Sequence, residues 1–122
     1  MKKILPALIT GLLLSTTAQA DDGPVTAQKL SEHVYVLFGQ GGNIAASVGD
    51  DGIYIIDDQF AKLSDDIKKT ISDLKPGSAE FVINTHHHGD HTGGNENFAK
   101  AGAHVIAHDN VHKRLEEQHG EG

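Results

Sequence analysis

NTHHHGDHTGGN, residues 84–95, begins where the apolar segment EFVIN of residues 80–84 ends. Four residues that bind metal ions in proteins occur there in the pattern H-x-H-x-D-H, as His86, His88, Asp90 and His91. Imidazole and carboxylate ligands without sulfur suit zinc, iron or manganese. The spacing allows His86 and His88 to share one ion, and Asp90 and His91 to turn toward a second. The stretch therefore predicts a site for one or two metal ions, with zinc preferred.

The position of this stretch strengthens the prediction. In α/β sheets, functional sites form in the loops that follow the strands. Gly89 is expected to let the backbone turn sharply, so that ligands close in sequence aim at one point. The alternative is a solvated histidine-rich loop, which explains neither the ligand spacing nor its place at a strand end. Residues 85–91 are accordingly predicted to form a polar loop.

The flanking sequence predicts alternating strands and helices. Residues 62–74 place Leu63, Ile67, Ile71 and Leu74 on one face of an amphipathic helix. Apolar segments bounded by glycine-rich turns predict the strands. The strands are predicted at residues 29–38, 43–48, 53–56, 80–84 and 103–107, and the helices at 62–74, 95–100 and from Asp109 onward. This order favours an α/β layered fold.

Composition limits the classes of function. The chain has 122 residues, enough for one small domain, and 38% of them are hydrophobic, as in globular proteins. The net charge is −7, and no Lys/Arg cluster occurs after residue 20, so nucleic acid is not an expected partner. Because cysteine is absent, disulfides, thiolate nucleophiles and thiolate ligands are excluded in this segment.

Residues 1–20 have the three parts of a secretory signal peptide. A basic start at Lys2 and Lys3 precedes an apolar run over residues 4–14, and Ala18-Gln-Ala20 is a small-x-small cleavage site. The apolar run is too short to span a bilayer, which needs about 20 residues. We therefore expect residues 21–122 to be the mature chain, periplasmic or secreted, with no membrane association after cleavage.

The H-x-H-x-D-H motif after an apolar strand resembles the signature of the metallo-β-lactamase superfamily. Residues 41–45, 51–57 and 92–98 also resemble segments of that superfamily, so the likeness covers about residues 28–118. The resemblance implies half of an αββα sandwich. It also implies that His86 and His88 bind a first metal, that Asp90 and His91 bind a second, and that Asp90 orients the attacking water. Asp57 resembles the aspartate that holds a metal-binding histidine from behind, whereas Asp58 is expected to be a loop residue.

The resemblance implies a hydrolase that acts on a small-molecule substrate. Metal-bound hydroxide would attack an ester, thioester, lactam or similar bond. The superfamily's remaining metal ligands lie beyond residue 122, so the chain is expected to be the N-terminal portion of a longer protein, with an apolar face that promotes self-association. Two alternatives stay open: a metal-binding but catalytically incomplete subunit or fragment, and a di-iron redox protein on the same fold.

Other histidines are expected to have lesser roles. The side chain of His87 should point away from the metals and into the pocket wall. His104 should pack within a strand, and His108 should be structural or line the cleft rather than bind metal.

Overall fold

The computed structural model describes residues 25–119, and these form one six-stranded mixed sheet with helices. The strands are β1 (Thr26–Lys29), β2 (Val34–Phe38), β3 (Ile44–Gly49), β4 (Gly52–Ile56), β5 (Phe81–Ile83) and β6 (His104–Ile106). The helices are α1 (Ser64–Leu74), α2 (Gly89–Thr92), α3 (Asn95–Lys100) and α4 (Asp109–His119), and a 3₁₀ turn at Ala61–Leu63 precedes α1. The predicted α/β class is confirmed. The predicted signal peptide lies outside the described residues.

The sheet follows chain order, from β1 at one edge to β6 at the other. β1 to β4 are antiparallel neighbours, and β4 begins after its turn from β3 with Gly52 at φ 124°, a conformation that favours glycine. β5 and β6 then run parallel to β4 after crossovers that contain α1 and α3. The ends of β4, β5 and β6 therefore point the same way, and the chain leaves each of them at one edge of the sheet.

One face of the sheet forms the core with α1. Ile67 and Ile71 of α1 are almost completely buried, as their four-residue spacing predicts. They belong to one cluster with alternating residues of the central strands, including Ile44, Ile55 and Val82, which have no exposed surface. This packing fixes β4 and β5 relative to each other, and with them the segments that follow.

The opposite face of the sheet is apolar and partly open to solvent. The strand register aligns one row of side chains across it: Val36, Ala45, Ile56, Ile83 and Ile106. Ile83 and Ile106 are 37% and 46% exposed, although strand residues of this type are usually buried. The chain therefore presents the open apolar face expected of half a sandwich.

Two predicted elements were wrong in detail. The strand predicted at residues 29–38 is only β2, preceded by a turn and the last residue of β1, because Leu30 and Ser31 donate backbone hydrogen bonds to the carbonyl of Val34. The predicted loop at residues 85–91 contains the start of α2 at Gly89. Among the described residues, no helix has both the length and the apolar character needed to cross a bilayer.

Candidate metal centre

The candidate site lies after β5, where the chain turns into α2. His86 and His88 belong to the connecting segment, whereas Asp90 and His91 lie in the first turns of α2. The His88 carbonyl begins this helix: it accepts hydrogen bonds from the backbone N–H of His91 at 3.0 Å and from Thr92 Oγ1 at 3.1 Å. The helix thus fixes the directions of the Asp90 and His91 side chains, whereas a flexible loop would leave them variable.

Three of the four predicted ligands form a cluster of imidazole rings. The ring centroids of His86 and His91 are 4.0 Å apart, and those of His86 and His88 are 4.7 Å apart. One potential ligand atom from each of Asp57, His86 and His91 lies within 4.8 Å of the others. His88 and Asp90 lie outside this closest group, and the His88 side chain is exposed. Ligation by all four residues remains a prediction.

Asp57 stands behind the histidine cluster. It follows β4, is 4% exposed and has φ 65°, an uncommon conformation for a residue other than glycine. Its Oδ1 accepts the backbone N–H of Thr85 at 2.8 Å, and its Oδ2 accepts the Thr85 hydroxyl at 2.7 Å and His91 Nδ1 at 2.8 Å. The Asp57 carboxylate is thus placed to orient His91 through its Oδ2.

The Thr85 hydroxyl fixes the tautomer of the neighbouring His86. Thr85 Oγ1 lies 2.8 Å from His86 Nδ1. Its single proton is already donated to Asp57, so Oγ1 must accept a hydrogen bond from the Nδ1–H of His86. His86 Nε2 then carries the free lone pair. The same reasoning applies to His91, whose Nδ1–H bonds to Asp57.

The contact between Asp90 and His91 tests whether a metal fits. His91 Nε2 lies 3.4 Å from Asp90 Oδ2. With Nδ1 donating to Asp57, His91 Nε2 and the Asp90 carboxylate both offer electron pairs that one metal ion can accept. Nitrogen and carboxylate oxygen are the donor types that zinc binds in proteins. The donor set therefore fits a zinc ion.

Asp58 lies in the loop after β4, as predicted, but sequence reasoning missed its burial. Asp58 is completely buried, and its Oδ1 accepts the backbone N–H of Gly94 at 2.9 Å. Burial raises the pKa of Asp58 from 3.8 to about 7; the Gly94 hydrogen bond opposes this, and the charge of Asp57 adds to it. Asp58 Oδ2 and Gln59 Nε2 are buried without a partner among the described residues. The burial of Asp58 could not be predicted from periodicity, because the alternation of the β4 residues ends before Asp57.

Glycines allow the close packing around the site. A Cβ on Gly42 would lie 2.2 Å from Cε1 of His91, and one on Gly94 would lie 2.9 Å from the carbonyl oxygen of Asp58. The chain turns into α2 at Gly89, as predicted, but Gly89 has no positive φ and a Cβ there would meet nothing within 4 Å, so this turn does not require glycine. A glycine-rich pattern alone does not indicate which glycine faces a ligand.

The other histidines lie around the site. His87 lines a cavity beside His86, and its ring centroid is 4.8 Å from that of His88. His104 is exposed and packs near the ring of Phe81, with the two centroids 5.5 Å apart. His108 Nδ1 accepts the backbone N–H of Asn110 at 3.1 Å, which caps the start of α4 and gives it a structural role.

Comparison with known proteins identifies this arrangement of strands and helices. The family model described as the metallo-beta-lactamase superfamily matches residues 48–122. The metallo-beta-lactamase FIM-1 of Pseudomonas aeruginosa, solved in its mono-zinc form, matches with a TM-score of 0.70 and 18% identity, over 79% of this chain and 47% of that one. BJP-1, a subclass B3 metallo-beta-lactamase of Bradyrhizobium japonicum, matches with a TM-score of 0.69 and 25% identity, over 80% of this chain and 38% of that one.

A metallo-beta-lactamase of Hirschia baltica matches with a TM-score of 0.70 and 21% identity, over 79% of this chain and 48% of that one. The chain thus spans less than half the length of each of these solved structures. No curated protein matches the chain significantly.

Proposed function

The chain belongs to the metallo-beta-lactamase superfamily, and from this we propose that it carries the metal-binding part of an exported, zinc-dependent hydrolase. The substrate is a small molecule with an ester, thioester, lactam or similar bond. The signal-like residues 1–20 support a periplasmic or secreted location. The net charge of −7 argues against nucleic acid as the substrate.

One observation carries the proposal: two imidazoles are each held through Nδ1, and their rings lie together. Thr85 engages His86 Nδ1, and Asp57 engages His91 Nδ1. Metal-binding histidines are typically held in this way, through the nitrogen that does not bind the ion. A solvated histidine-rich loop would not account for the buried Asp57 carboxylate that is bonded to His91. We propose that His86 and His88 hold one ion and that Asp90 and His91 hold a second.

The residues of the site have separable tasks. A bound zinc ion supplies a water acidic enough to ionise near neutral pH, together with positive charge opposite a developing oxyanion. Asp90, 40% exposed at its side chain and next to His91, accepts a hydrogen bond from the attacking water and orients it. Asp57 and Thr85 keep the two imidazoles in the tautomer that leaves Nε2 unprotonated.

A second candidate function is metal binding without turnover. It is supported by the chain's coverage of less than half of its solved relatives, since a substrate pocket drawn from both halves would be incomplete here. In that case the chain is a metal-binding subunit whose activity requires another segment or partner.

Hydrolysis assays separate these two candidates. The zinc-loaded chain is offered a chromogenic ester, a thioester and a lactam, beside the variants Asp90→Asn and Asp73→Asn. Asp73 is an exposed carboxylate on α1 that pairs with Lys69, so its variant matches the charge change away from the site. We expect turnover that Asp90→Asn abolishes and Asp73→Asn preserves. Zinc binding without turnover of any substrate would favour the second candidate.

A further inference from the structure

A cavity of about 560 Å³ separates the histidine segment from α4. His86 and His87 form one side of it, and Asn110, Lys113, Arg114 and Glu117 of α4 form the other. The cavity therefore opens directly onto a proposed metal ligand, His86. No part of the chemistry described above uses the α4 side, so its side chains are available to bind another part of the substrate.

The α4 side of the cavity is positive although the chain as a whole carries a charge of −7. Lys113 and Arg114 contribute two positive charges, and Glu117 contributes one negative charge. Arg114 Nη1 lies 3.3 Å from Glu117 Oε2, so this ion pair restrains the only arginine of the sequence at the cavity wall. The side chains of this wall sum to one net positive charge when the histidines are neutral.

Lys113 differs from every other cationic side chain in the described part of the chain. Seven of these have a partner: Lys29, Lys62, Lys68, Lys69, Lys75, Lys100 and Arg114. Their partners are carboxylates, aromatic rings or a backbone carbonyl. Within residues 25–119, Lys113 has no ion pair, hydrogen bond or ring contact. An ammonium group without a partner, on the wall of a cavity beside the candidate metal centre, is suited to bind an anion.

We infer that this cavity binds a carboxylate group of the substrate, with Lys113 as the principal charge and Arg114 and Asn110 as further donors. The inference rests on the proposed hydrolase function, because it assumes a substrate whose scissile bond lies at the metal site beside His86. The carboxylate of that substrate would then reach α4. One net positive charge matches one carboxylate better than a dianionic phosphate, whose second charge would be desolvated without compensation.

The test is an NMR titration of the isotope-labelled, metal-free chain with benzoate, and with benzamide as its neutral counterpart, at pH 8 and constant ionic strength. A chelator removes the metal, so metal cannot bind the anion in place of α4. The parent chain is compared with Lys113→Gln and Arg114→Gln. Lys69→Gln is the matched control, since it removes the same charge from an exposed position on α1.

We expect benzoate to shift the amide signals of residues 110–117 saturably and benzamide to leave them unchanged. Lys113→Gln should raise the dissociation constant for benzoate about tenfold, the size of effect expected for one charge-assisted hydrogen bond, and Lys69→Gln should not. Equal shifts with benzamide, or equal benzoate binding by the Lys113→Gln and Arg114→Gln variants, would overturn the proposal. Tighter binding of inorganic phosphate than of benzoate would overturn the assignment to a carboxylate.

A second arm separates this proposal from the proposed function. The zinc-loaded chain is assayed with a pair of chromogenic esters that differ only in a terminal carboxylate. Lys113→Gln should raise KM for the anionic ester and leave both the neutral ester and kcat unchanged. If neither ester is hydrolysed but benzoate still binds at α4, the hydrolase proposal fails and the anion site stands. If both esters are hydrolysed with no effect of Lys113→Gln, the anion site fails and the hydrolase stands.

Discussion

Asp57 Oδ2 accepts a hydrogen bond from His91 Nδ1 at 2.8 Å, across 34 positions of the sequence. The bond joins the end of β4 to the first turn of α2, so it depends on the parallel pairing of β4 with β5. The same carboxylate accepts two bonds from Thr85, which in turn holds His86. One buried carboxylate therefore sets the orientation of two imidazoles, and the first two predictions below depend on it.

Replacing Asp57 should weaken metal binding without removing a ligand. Asp57→Asn loses the charge that favours Nδ1–H on His91, so zinc affinity should fall about 10–100-fold, the usual cost of losing such a partner. Zinc affinity is measured by competition with a chromogenic chelator. Asp66→Asn, on the exposed face of α1, is the control and should bind zinc like the parent chain. Equal affinities of all three proteins would contradict the role assigned to Asp57.

The hydroxyl of Thr85 should determine the tautomer of His86. In Thr85→Val the acceptor for His86 Nδ1–H is lost, so the protonated nitrogen should redistribute between Nδ1 and Nε2. Thr85→Ser keeps the hydroxyl and should retain the parent tautomer. Imidazole ¹⁵N chemical shifts of the metal-free chain report this directly. A His86 spectrum unchanged in Thr85→Val would show that another contact sets the tautomer.

Asp58 should make the metal-free protein less stable as the pH rises. Its pKa in the folded chain, about 7, is above the unfolded value of 3.8, so between these pH values the folded state holds a proton that the unfolded state has lost. Stability therefore decreases from about pH 4 to above pH 7, by an amount of the order of 4 kcal/mol. Urea unfolding at pH 5 and pH 8 captures about 3 kcal/mol of this decrease, and Asp58→Asn should be the less pH-dependent protein. If the free energy of unfolding changed equally between the two pH values in both proteins, Asp58 would be excluded as the source of the pH dependence.

Alanine at two glycines near the site should have different effects on zinc affinity. Gly42→Ala places a Cβ 2.2 Å from the His91 ring, so the ring must move and zinc affinity should fall at least about tenfold. Gly89→Ala meets nothing within 4 Å at the start of α2, and it should leave zinc affinity unchanged. Chelator competition measures both variants. Equal losses of zinc affinity in the two variants would mean that the glycines act through backbone flexibility and not through the close approach of Gly42 to His91.

The open apolar face should cause the isolated chain to self-associate. Ile106 stands at one end of the aligned row and is 46% exposed, so Ile106→Glu introduces a charge into any contact made by this face. We expect sedimentation to show dimers or larger species for the parent chain and a shift toward monomer for this variant. Leu30→Glu, at an exposed apolar residue in the β1–β2 turn, is the control. A parent chain that remains monomeric at high concentration would contradict the prediction.

The sequence predicted the fold class and most elements because periodicity reports which faces are buried. The α1 spacing and the apolar strands were clear for this reason, and α3 was predicted with the bounds that the structure gives it. The turn within residues 29–38 was missed, since the segment contains neither glycine nor proline to mark it. Short elements such as α2 are set by tertiary contacts, which periodicity does not report.

The histidine motif could be recognised from its spacing alone, but the residues that hold the histidines in place were only partly predicted. Asp57 was identified through resemblance, while its bond to Thr85 and the burial of Asp58 were not. Both depend on how β4 and β5 lie side by side, a long-range relationship. The contact of Gly42 with His91 joins segments about 50 residues apart, and local sequence carries no sign of it.

Metal bound per chain is the measurement that tests the central claim most directly. The purified chain is dialysed against zinc, freed of excess ion and subjected to elemental analysis, beside a His88→Ala, Asp90→Ala variant and a control, His112→Ala, at an exposed position on α4. We predict one or two zinc ions per chain in the parent and the control, and loss of bound zinc in the double variant. A folded parent chain that retains no zinc, or a double variant that retains as much as the parent, would contradict the account.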